Sequence, residues 1–329
     1  MSYANYIKDI GRGAQGARSL SIDDAQKLYA AMLDGGVPDL ELGAIILALR
    51  VKGEAVDEML GFMAAVDDRT EALEVPHARV RPVVLPTYNG SRKEPNLTPL
   101  LALMLQRFGI PVLVHGLLEG MGRVTTGHIL RELGIMPAAT TAQAQTMLET
   151  KGLAFAPLNA LSPGIHSLLG LRARMGVRSS AHSLVKLIDP FRGEGVLVAA
   201  ATHPEFIDLM RGMLIARGGR SILLRASEGE PYANPKRRPR LEYVHEGQTD
   251  VLFEAEHDSL RGLPNLPEAT DAAATARWTR KVVDNQLPLP KPIANQLACC
   301  LYASGYAEGL NQAKAIVAVQ TGSMTAPAV

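Results

Sequence analysis

The sequence predicts an α/β protein with an additional helical domain, and three observations support this prediction. The segment before residue 73 has helical periodicity interrupted by short glycine-containing turns, which is typical of a helical bundle. Beyond Pro76, short β-like runs alternate with helical stretches, a pattern typical of a mainly parallel sheet covered by helices. A chain of 329 residues with 47% hydrophobic content is also large enough for two domains.

Capping and turn residues delimit the N-terminal helices. Ser21 and Asp24 form a capping-box pattern, so we expect a helix that begins there and ends at Gly35-Gly36. Further helices are expected from Asp39 to Lys52 and from Ala55 to about Asp68. The expected domains are a helical domain at 1–73 with a return segment at about 161–185, and an α/β domain at 74–160 and 186–329.

The remainder of the chain supplies the strands and helices of the α/β domain. The strand candidates are Val80–Leu85, Val112–His115, Ala154–Ala156, Gly195–Ala200, Ser221–Arg225 and Asp250–Phe253. The helix candidates are Leu100–Phe108, Thr126–Leu133, Thr141–Lys151, Pro204–Ala216 and Ile293–Leu310. This alternation predicts a mainly parallel sheet.

The composition argues against membrane and secreted classes. No stretch approaches the roughly 18 uninterrupted apolar residues of a spanning helix, and the first residues lack the apolar region of a signal peptide. The cysteines Cys299 and Cys300 are adjacent, and adjacent cysteines rarely bridge each other. We therefore expect a cytoplasmic protein with no membrane partner.

A net charge of +1 conceals a strongly basic segment. Residues 211–240 carry seven Arg and one Lys against Glu228 and Glu230, a local net charge of +6. Four of the last five residues of Asn234–Arg240 are cationic, and prolines keep this run extended. Such a run is either a solvated surface loop or a surface that neutralises nucleic-acid phosphates without reading sequence.

A second candidate site is the stretch Leu85–Thr98, which follows a predicted strand and precedes a predicted helix. Main-chain N–H groups and the helix dipole converge at such a junction and commonly hold phosphate. Here two prolines lack an N–H and Tyr88 is bulky, whereas Arg92 and Lys93 add positive charge. The sequence therefore predicts a phosphate site built on cationic side chains, with a simple Asn89-Gly90 turn as the alternative.

This stretch resembles the anthranilate phosphoribosyltransferase family, whose fold is shared with pyrimidine nucleoside phosphorylases. The family loop Gly-Thr-Gly-Gly-Asp corresponds to Pro86–Gly90, and its Asn-Ile-Ser-Thr helix start corresponds to Asn96–Pro99. The family motif Lys-His-Gly-Asn corresponds to Val114–Leu117, and Ala48–Glu54 is close to the N-terminal helical signature. The departures from the family pattern resemble the divergent YbiB-like branch, whose members bind nucleic acid. The resemblance implies the two-domain fold and a homodimer formed through the helical domains.

The resemblance also implies where metal and substrate would bind. In transferases of this fold an Asp-Glu pair holds Mg²⁺ on the leaving pyrophosphate, but the matching positions here are Gly229 and Glu230. We therefore expect no cofactor and only a vestigial Glu230, with Mg²⁺ entering only if the protein is a transferase. A salt bridge of Glu228 or Glu230 with Arg237 or Arg238 is an equal alternative.

On the acceptor side, Arg172 matches an arginine that contacts the anthranilate carboxylate, and Arg178 follows the family spacing. These arginines are equally suited to stabilising the domain junction or to contacting phosphates, and we assign no general base. The residues expected to line the phosphate or ligand cleft are Thr87, Asn89, Gly90, Ser91, His115, Gly116, Arg172 and Arg178. The residues expected to bind nucleic acid are Arg92, Lys93, Lys236, Arg237, Arg238 and Arg240, and Tyr88 and Tyr232 are candidates to stack on unpaired bases or to pack in the core.

The leading hypothesis is sequence-nonspecific binding of DNA or RNA by a catalytically silent homodimer. The alternative is a phosphoribosyl or glycosyl transferase with an altered substrate. A small-molecule phosphate sensor that uses the same loop is a third possibility.

Overall fold

A computed structural model of the chain describes residues 2–256 and 265–323. The chain divides into two compact units, each built from two separate segments. A helical unit comprises Met1–Glu71 and Leu158–Pro190, and an α/β unit comprises Ala72–Pro157 and Phe191–Val329. None of the helices in the described part of the chain combines the length and the apolarity that a membrane crossing requires.

The helical unit is built on close packing between its third and fifth helices. Its elements are α1 (Tyr3–Ile10), α2 (Gly13–Gly16), α3 (Ile22–Leu33), α4 (Asp39–Lys52), α5 (Val56–Asp67), α9 (Leu158–Leu161), α10 (Pro163–Gly170), α11 (Arg172–Met175), α12 (Ala181–Leu184) and a 3₁₀ turn at Val185–Leu187. The rings of Tyr29 and Phe62 stack between α3 and α5 with centroids 4.6 Å apart. Gly61 permits this approach, because a Cβ there would lie 2.3 Å from the carbonyl oxygen of Ile22.

Polar contacts fix the ends of these helices. Ser21 caps α3 as predicted, since its hydroxyl accepts a hydrogen bond from the N–H of Asp24 at 3.2 Å. The buried carboxylate of Glu58 pairs with Lys52 at 2.6 Å and also accepts the N–H of Leu20 at 2.9 Å. These bonds leave the buried charge fully partnered, as burial requires.

The α/β unit contains a mixed, mostly parallel sheet. Its strands are β1 (Val83–Thr87), β2 (Val112–Gly116), β3 (Leu153–Pro157), β4 (Val196–Ala201), β5 (Arg220–Arg225), β6 (Leu241–His245) and β7 (Gln248–Phe253). Its helices are α6 (Thr98–Arg107), α7 (Thr126–Glu132), α8 (Thr141–Lys151), α13 (Pro204–Arg217), α14 (Ala272–Val283), α15 (Lys291–Ala303) and α16 (Leu310–Thr321). The strand order is β3-β2-β1-β4-β5-β6-β7, with β1 to β5 parallel and β6 and β7 antiparallel.

The sheet topology places a crevice after the first strand. From β1 the chain proceeds to β2 and β3 on one side, and then returns to β4 on the other side. Ligands of open α/β sheets bind outside the carboxyl ends of the strands at such a switch point. The loop that follows β1 is therefore the first place to look for a site.

Several elements differ from the sequence prediction. Helices α1, α2 and α14 were not among the predicted elements, and two further differences have a clear physical reason. The expected helix Ile293–Leu310 is wrong, because it breaks into α15 and α16 around Gly305, which has a left-handed φ of +81°. Strand β6 was not predicted, because it follows directly on the basic run and contains a charged residue, Glu242. Glu242 is nevertheless buried, since Arg211 and Arg240 contact its carboxylate at 2.8 Å and 3.0 Å.

Candidate functional site

The candidate site consists of the loop at residues 88–97, between β1 and α6, and the turn at residues 226–231, after β5. The backbone under the loop is tightly packed: a Cβ on Gly116, at the end of β2, would lie 1.4 Å from the carbonyl oxygen of Thr87. Gly90 adopts a left-handed φ of +67°, and a Cβ there would lie 2.9 Å from the carbonyl oxygen of Val124. Glycine is therefore required at both positions.

The carboxylate of Glu230 lies at the centre of the loop. Its Oε1 accepts the main-chain N–H groups of Asn89 and Gly90, each at 2.9 Å. Its Oε2 accepts hydrogen bonds from the hydroxyl of Thr87, from Thr126 Oγ1 at 3.3 Å and from Asn96 Nδ2 at 3.4 Å. Glu230 is fully buried, so this carboxylate is surrounded by N–H and O–H donors and excluded from solvent.

Glu228 fills a second set of donors at the edge of the same loop. Its carboxylate accepts the N–H groups of Arg92, Lys93 and Glu94 at 2.7–3.2 Å. The guanidinium of Arg123 completes the set at 3.0 Å. Burial raises the pKa of the Glu228 carboxyl, but these N–H bonds and the nearby Arg123 charge outweigh burial and hold the pKa below its usual value of 4.5.

The turn geometry aims both carboxylates at the loop. Glu228 has a left-handed φ of +53°, which is uncommon for a residue with a side chain, and Gly229 follows with a φ of +94°. A Cβ on Gly229 would lie 3.5 Å from the side chain of Asn89. The carboxylates of Glu228 and Glu230, two residues apart in one turn, thus reach two neighbouring groups of hydrogen-bond donors in the loop.

This donor set does not fit a magnesium ion. Mg²⁺ needs oxygen ligands that are free to coordinate, but both oxygens of Glu230 are occupied by N–H and O–H donors. Across residues 2–256 and 265–323 there is no group of three or more His, Cys, Asp or Glu side chains arranged to hold a metal. The site has the chemistry of an anion-binding loop whose anions are supplied by the chain itself.

The structure changes how several predicted cleft residues are understood. Thr87, Asn89 and Gly90 donate to Glu230 rather than facing a free ligand. Ser91 is buried and its main chain forms a bridge with Val124, at N···O distances of 3.0 and 2.8 Å. His115 is fully buried in β2.

The alternative considered for the two glutamates, a salt bridge with Arg237 or Arg238, does not form among the described residues. Glu228 pairs instead with Arg123, which the sequence did not single out. Thr126 and Asn96 were missed in the same way as partners of Glu230. No sequence signal points to these contacts, because the partners are separated by about a hundred positions or more.

The six predicted nucleic-acid-binding cations fall into three groups. Within the described residues no ion pair engages the exposed side chains of Arg92, Lys93 and Arg237. Arg238 is buried, pairs with Glu256 at 3.2 Å and lies over the ring of Phe253. The other two are partly exposed and paired, with Lys236 bound to Glu94 at 2.8 Å and Arg240 to Glu242 at 3.0 Å.

The two tyrosines considered for base stacking are buried. Tyr88 is 7% exposed and Tyr232 is fully buried, with its hydroxyl donating to the carbonyl oxygen of Pro95 at 3.0 Å. Neither ring offers a face to a base. Both tyrosines therefore have the core role.

Arg172 and Arg178 belong to the helical unit, in and just after α11. Burial, followed by the positive charges of Arg178 and Arg172, lowers the pKa of the nearby His182 to about 4. His182 is therefore neutral at physiological pH. The two arginines form a region of positive potential within that unit.

The fold is the one found in anthranilate phosphoribosyltransferases. Residues 4–70 match the helical bundle domain of the glycosyl transferase family. The structure of anthranilate phosphoribosyltransferase from Thermus thermophilus superposes with a TM-score of 0.77 at 21% identity, covering 96% of this chain and 94% of that one. The Saccharomyces cerevisiae enzyme, solved in complex with PRPP and Mg, superposes with a TM-score of 0.70 at 14% identity, covering 97% and 95%.

The sequence comparison is more specific. The uncharacterized protein YbiB of Escherichia coli K12 is 43% identical over 96% of this chain and 99% of its own length. The anthranilate phosphoribosyltransferase of Streptomyces avermitilis is 24% identical over 96% of this chain and 85% of its own length. The chain belongs to the anthranilate phosphoribosyltransferase-like family, in its YbiB-like branch.

Proposed function

We propose that the protein binds DNA or RNA through the phosphate backbone, without reading sequence and without transferase activity. The observation that carries this proposal is the ion pair between Lys236 and Glu94, at 2.8 Å. It joins the β1–α6 loop to the basic run at residues next in sequence to the exposed Lys93 and Arg237, which supports one shared basic surface. Each such cation neutralises a phosphate and releases condensed counterions, which gives affinity without base contacts.

The filled loop supports catalytic silence. A transferase of this fold has to receive a diphosphate at the loop after β1, but the amide groups of Asn89 and Gly90 are already bonded to Glu230. A diphosphate entering there would meet a buried carboxylate, and the repulsion between like charges in a buried site is large. The exposed cations Arg92, Lys93 and Arg237 remain available to a polyanion at the surface.

The proposal includes a homodimer formed through the helical domains. One face of α4 carries three exposed apolar residues at helical spacing. These are Leu40, Leu47 and Val51, which are 83%, 49% and 64% exposed. An apolar helix face of this kind is typical of an interaction surface. A two-fold dimer would present each basic surface twice to the same nucleic acid, which raises avidity.

A salt titration with random-sequence oligonucleotides tests the function. Affinity should fall linearly in a log–log plot against salt, with a slope of about −0.9 for each phosphate contacted on duplex DNA. Replacing Arg92, Lys93 and Arg237 by Gln should weaken binding and flatten this slope. Absence of oligonucleotide binding at about 50 mM salt, where such contacts are strong, would contradict the proposal.

A matched control distinguishes a local surface from a general effect of charge. Arg131, Arg277 and Lys281 are exposed on α7 and α14, and their replacement by Gln changes the net charge by the same amount. This control should retain most of the affinity and the slope of the parent protein. Equal losses in the two triple variants would show that no particular surface binds the nucleic acid.

The alternative function is phosphoribosyl or glycosyl transfer with an altered substrate. Its support is the shared fold and the basic region around Arg172 and Arg178 in the helical unit. The direct assay is pyrophosphate release from phosphoribosyl pyrophosphate, with Mg²⁺ and candidate acceptors. Turnover that Glu230→Gln abolishes would favour the transferase over nucleic-acid binding.

A further inference from the structure

Three consecutive main-chain N–H groups converge on one point at the edge of the loop. The N–H groups of Arg92, Lys93 and Glu94 all donate to the carboxylate of Glu228, at 2.7–3.2 Å. The guanidinium of Arg123 approaches the same carboxylate at 3.0 Å. Successive N–H groups that point inward form a concave anion site of the kind that holds phosphate oxygens. We call these three N–H groups and Arg123 the amide nest.

Glu228, which occupies the amide nest, is more accessible to solvent than Glu230. The side chain of Glu228 is 17% exposed, whereas Glu230 is fully buried among its donors. Glu228 also holds an unfavourable left-handed backbone conformation. Rotation of its own side chain into solvent would empty the nest, and Glu230 would keep its place beneath the loop.

We propose that the amide nest is a phosphate-binding site that Glu228 fills in the free protein and vacates for a backbone phosphate of a bound nucleic acid. This inference rests on the proposed function for the source of the phosphate. A phosphodiester carries one negative charge shared by two non-bridging oxygens, and a carboxylate likewise shares one charge between two oxygens. The exchange therefore leaves every donor of the nest with an acceptor. The displaced carboxylate regains its hydration at the surface.

The exchange gives a role to the N–H groups that the loop keeps at residues 92–94. Pro95 follows the nest without interrupting it, and two of the nest amides belong to Arg92 and Lys93, whose side chains are exposed. A phosphate in the nest would therefore be held by the main chain at a place where the adjoining side chains are also cationic. Glu228 acts as a competitor that weakens binding until a polyanion supplies several phosphates together.

Three variants of the full-length protein test the inference. Glu228→Gln removes the competing charge with little change of size, and Glu228→Asp keeps the charge but shortens the side chain so that it cannot reach the three N–H groups. Glu119→Gln is the matched control, because its side chain is 85% exposed and its removal changes the net charge equally. The probes are a random-sequence oligonucleotide, measured by fluorescence anisotropy, and inorganic phosphate, followed through the amide resonances of residues 92–94.

Glu228→Gln should bind the oligonucleotide about tenfold more tightly than Glu119→Gln, the effect of roughly one charge-assisted hydrogen bond. Glu228→Asp should fall between these two variants although its charge is unchanged. In the parent protein the amide resonances of residues 92–94 should shift when oligonucleotide binds, and in Glu228→Gln they should also shift with inorganic phosphate.

Two results would overturn the inference, and they are distinguishable from each other. Oligonucleotide binding that is equal in all forms, with unchanged amide resonances at 92–94, would reject the nest and leave the proposed function standing. A nest in Glu228→Gln that responds to inorganic phosphate, with no oligonucleotide binding by any form, would reject the nucleic-acid source together with the proposed function.

Discussion

The carboxylate of Glu230 and the main-chain N–H of Gly90 are joined by a hydrogen bond of 2.9 Å across 140 positions of sequence. This bond shows that the loop after β1 still directs its N–H groups inward, as a phosphate-binding loop does. What differs is the acceptor, which is a side chain of the same protein. The site is thus occupied by a buried carboxylate of the chain itself, whose charge is stabilised by hydrogen bonds from uncharged donors.

Replacing Glu230 should destabilise the protein because its donors are buried. Glu230→Ala would leave the N–H groups of Asn89 and Gly90 without an acceptor, and we expect a loss of about 3 kcal/mol in the free energy of unfolding. Glu230→Gln keeps an acceptor oxygen for these groups and should cost about 1 kcal/mol. Urea unfolding followed by the fluorescence of the buried Trp278, which reports on the α/β unit, measures both.

The control for this prediction is an exposed acidic residue that accepts no hydrogen bonds from buried donors among the described residues. Glu119→Gln should change stability by less than about 0.5 kcal/mol, as is usual for surface substitutions. Should Glu230→Ala be as stable as this control, the donors around Glu230 would have to be satisfied by other acceptors, and the filled-loop interpretation would be wrong.

The contribution of Glu228 to stability should depend on pH. Its pKa in the folded protein is held below the usual 4.5, mainly by N–H donors that outweigh burial. A carboxyl group with a depressed folded pKa stabilises the protein above its unfolded pKa, and this stabilisation is lost as pH falls through the folded pKa. The stability difference between the parent protein and Glu228→Gln should therefore be constant from about pH 6 upward and shrink below about pH 4.5.

Unfolding titrations of the two proteins at a series of pH values measure this difference. Glu119→Gln, which lacks the N–H partners, should show a much smaller change over the same range. A difference that grows toward acid pH would contradict the assigned direction of the pKa change.

A methyl group at Gly116 should disrupt the junction of β1 and β2. Gly116 pairs with Thr87 in parallel register, and a Cβ would lie 1.4 Å from the Thr87 carbonyl oxygen. No rotamer change relieves a clash between main-chain and Cβ atoms, so Gly116→Ala should lose more than about 4 kcal/mol or fail to fold.

Gly170→Ala is the comparison, because nothing lies within 4 Å of a Cβ there and the residue ends α10 without a left-handed φ. It should be neutral or more stable by up to about 1 kcal/mol. Soluble expression and thermal unfolding distinguish the two outcomes. Equal stability of the two variants would mean that β1 and β2 separate easily at this point.

The fold was predictable because its signals are local. Capping at Ser21, the turn glycines and the alternation of apolar strands with helices each act over a few residues, and the structure contains the helical and α/β units that they indicate. Strand β6 was not predicted because a charged residue such as Glu242 is usually exposed. The burial of Glu242 is explained only by its contacts with Arg211 and Arg240. Such pairing between distant segments has no local signature.

The site was predictable only in part, for the same physical reason. The sequence indicates the loop after β1, and the family resemblance implies that Glu230 is a remnant of a metal site. It does not reveal that Glu230 turns inward, because this depends on the left-handed conformation at Glu228 and on donors more than a hundred positions away. The prediction that side chains had replaced amide groups at this loop was therefore incomplete: the amide groups remain and hold carboxylates.

The exposed face of α4 should determine the oligomeric state. If Leu40, Leu47 and Val51 form the proposed dimer interface, Leu47→Glu should produce a monomer, because a buried unpaired carboxylate at an interface is strongly unfavourable. Light scattering coupled to size-exclusion chromatography measures the mass. Val319→Glu, at a residue 85% exposed on α16, is the matched substitution and should leave the mass unchanged. A monomeric parent protein would contradict the proposed dimer directly.

The six cations assigned to nucleic-acid binding should separate into binding and structural residues. The exposed pair Arg92 and Lys93, replaced together by Gln, should reduce the salt slope on duplex DNA by about 1.8 and leave stability unchanged, because each cation contributes about 0.9. Arg238 is buried between Glu256 and the ring of Phe253, so Arg238→Gln should lower the unfolding free energy by about 2 kcal/mol.

The slope measured on the folded fraction of Arg238→Gln should equal that of the parent protein, since a cation paired inside the protein has no phosphate to neutralise. Salt titration and urea unfolding of the same samples provide both readouts. A reduced slope in Arg238→Gln at unchanged stability would show that the Glu256 pair opens for the nucleic acid. In that case the basic run would bind as a whole, and the exposed cations alone would not define the surface.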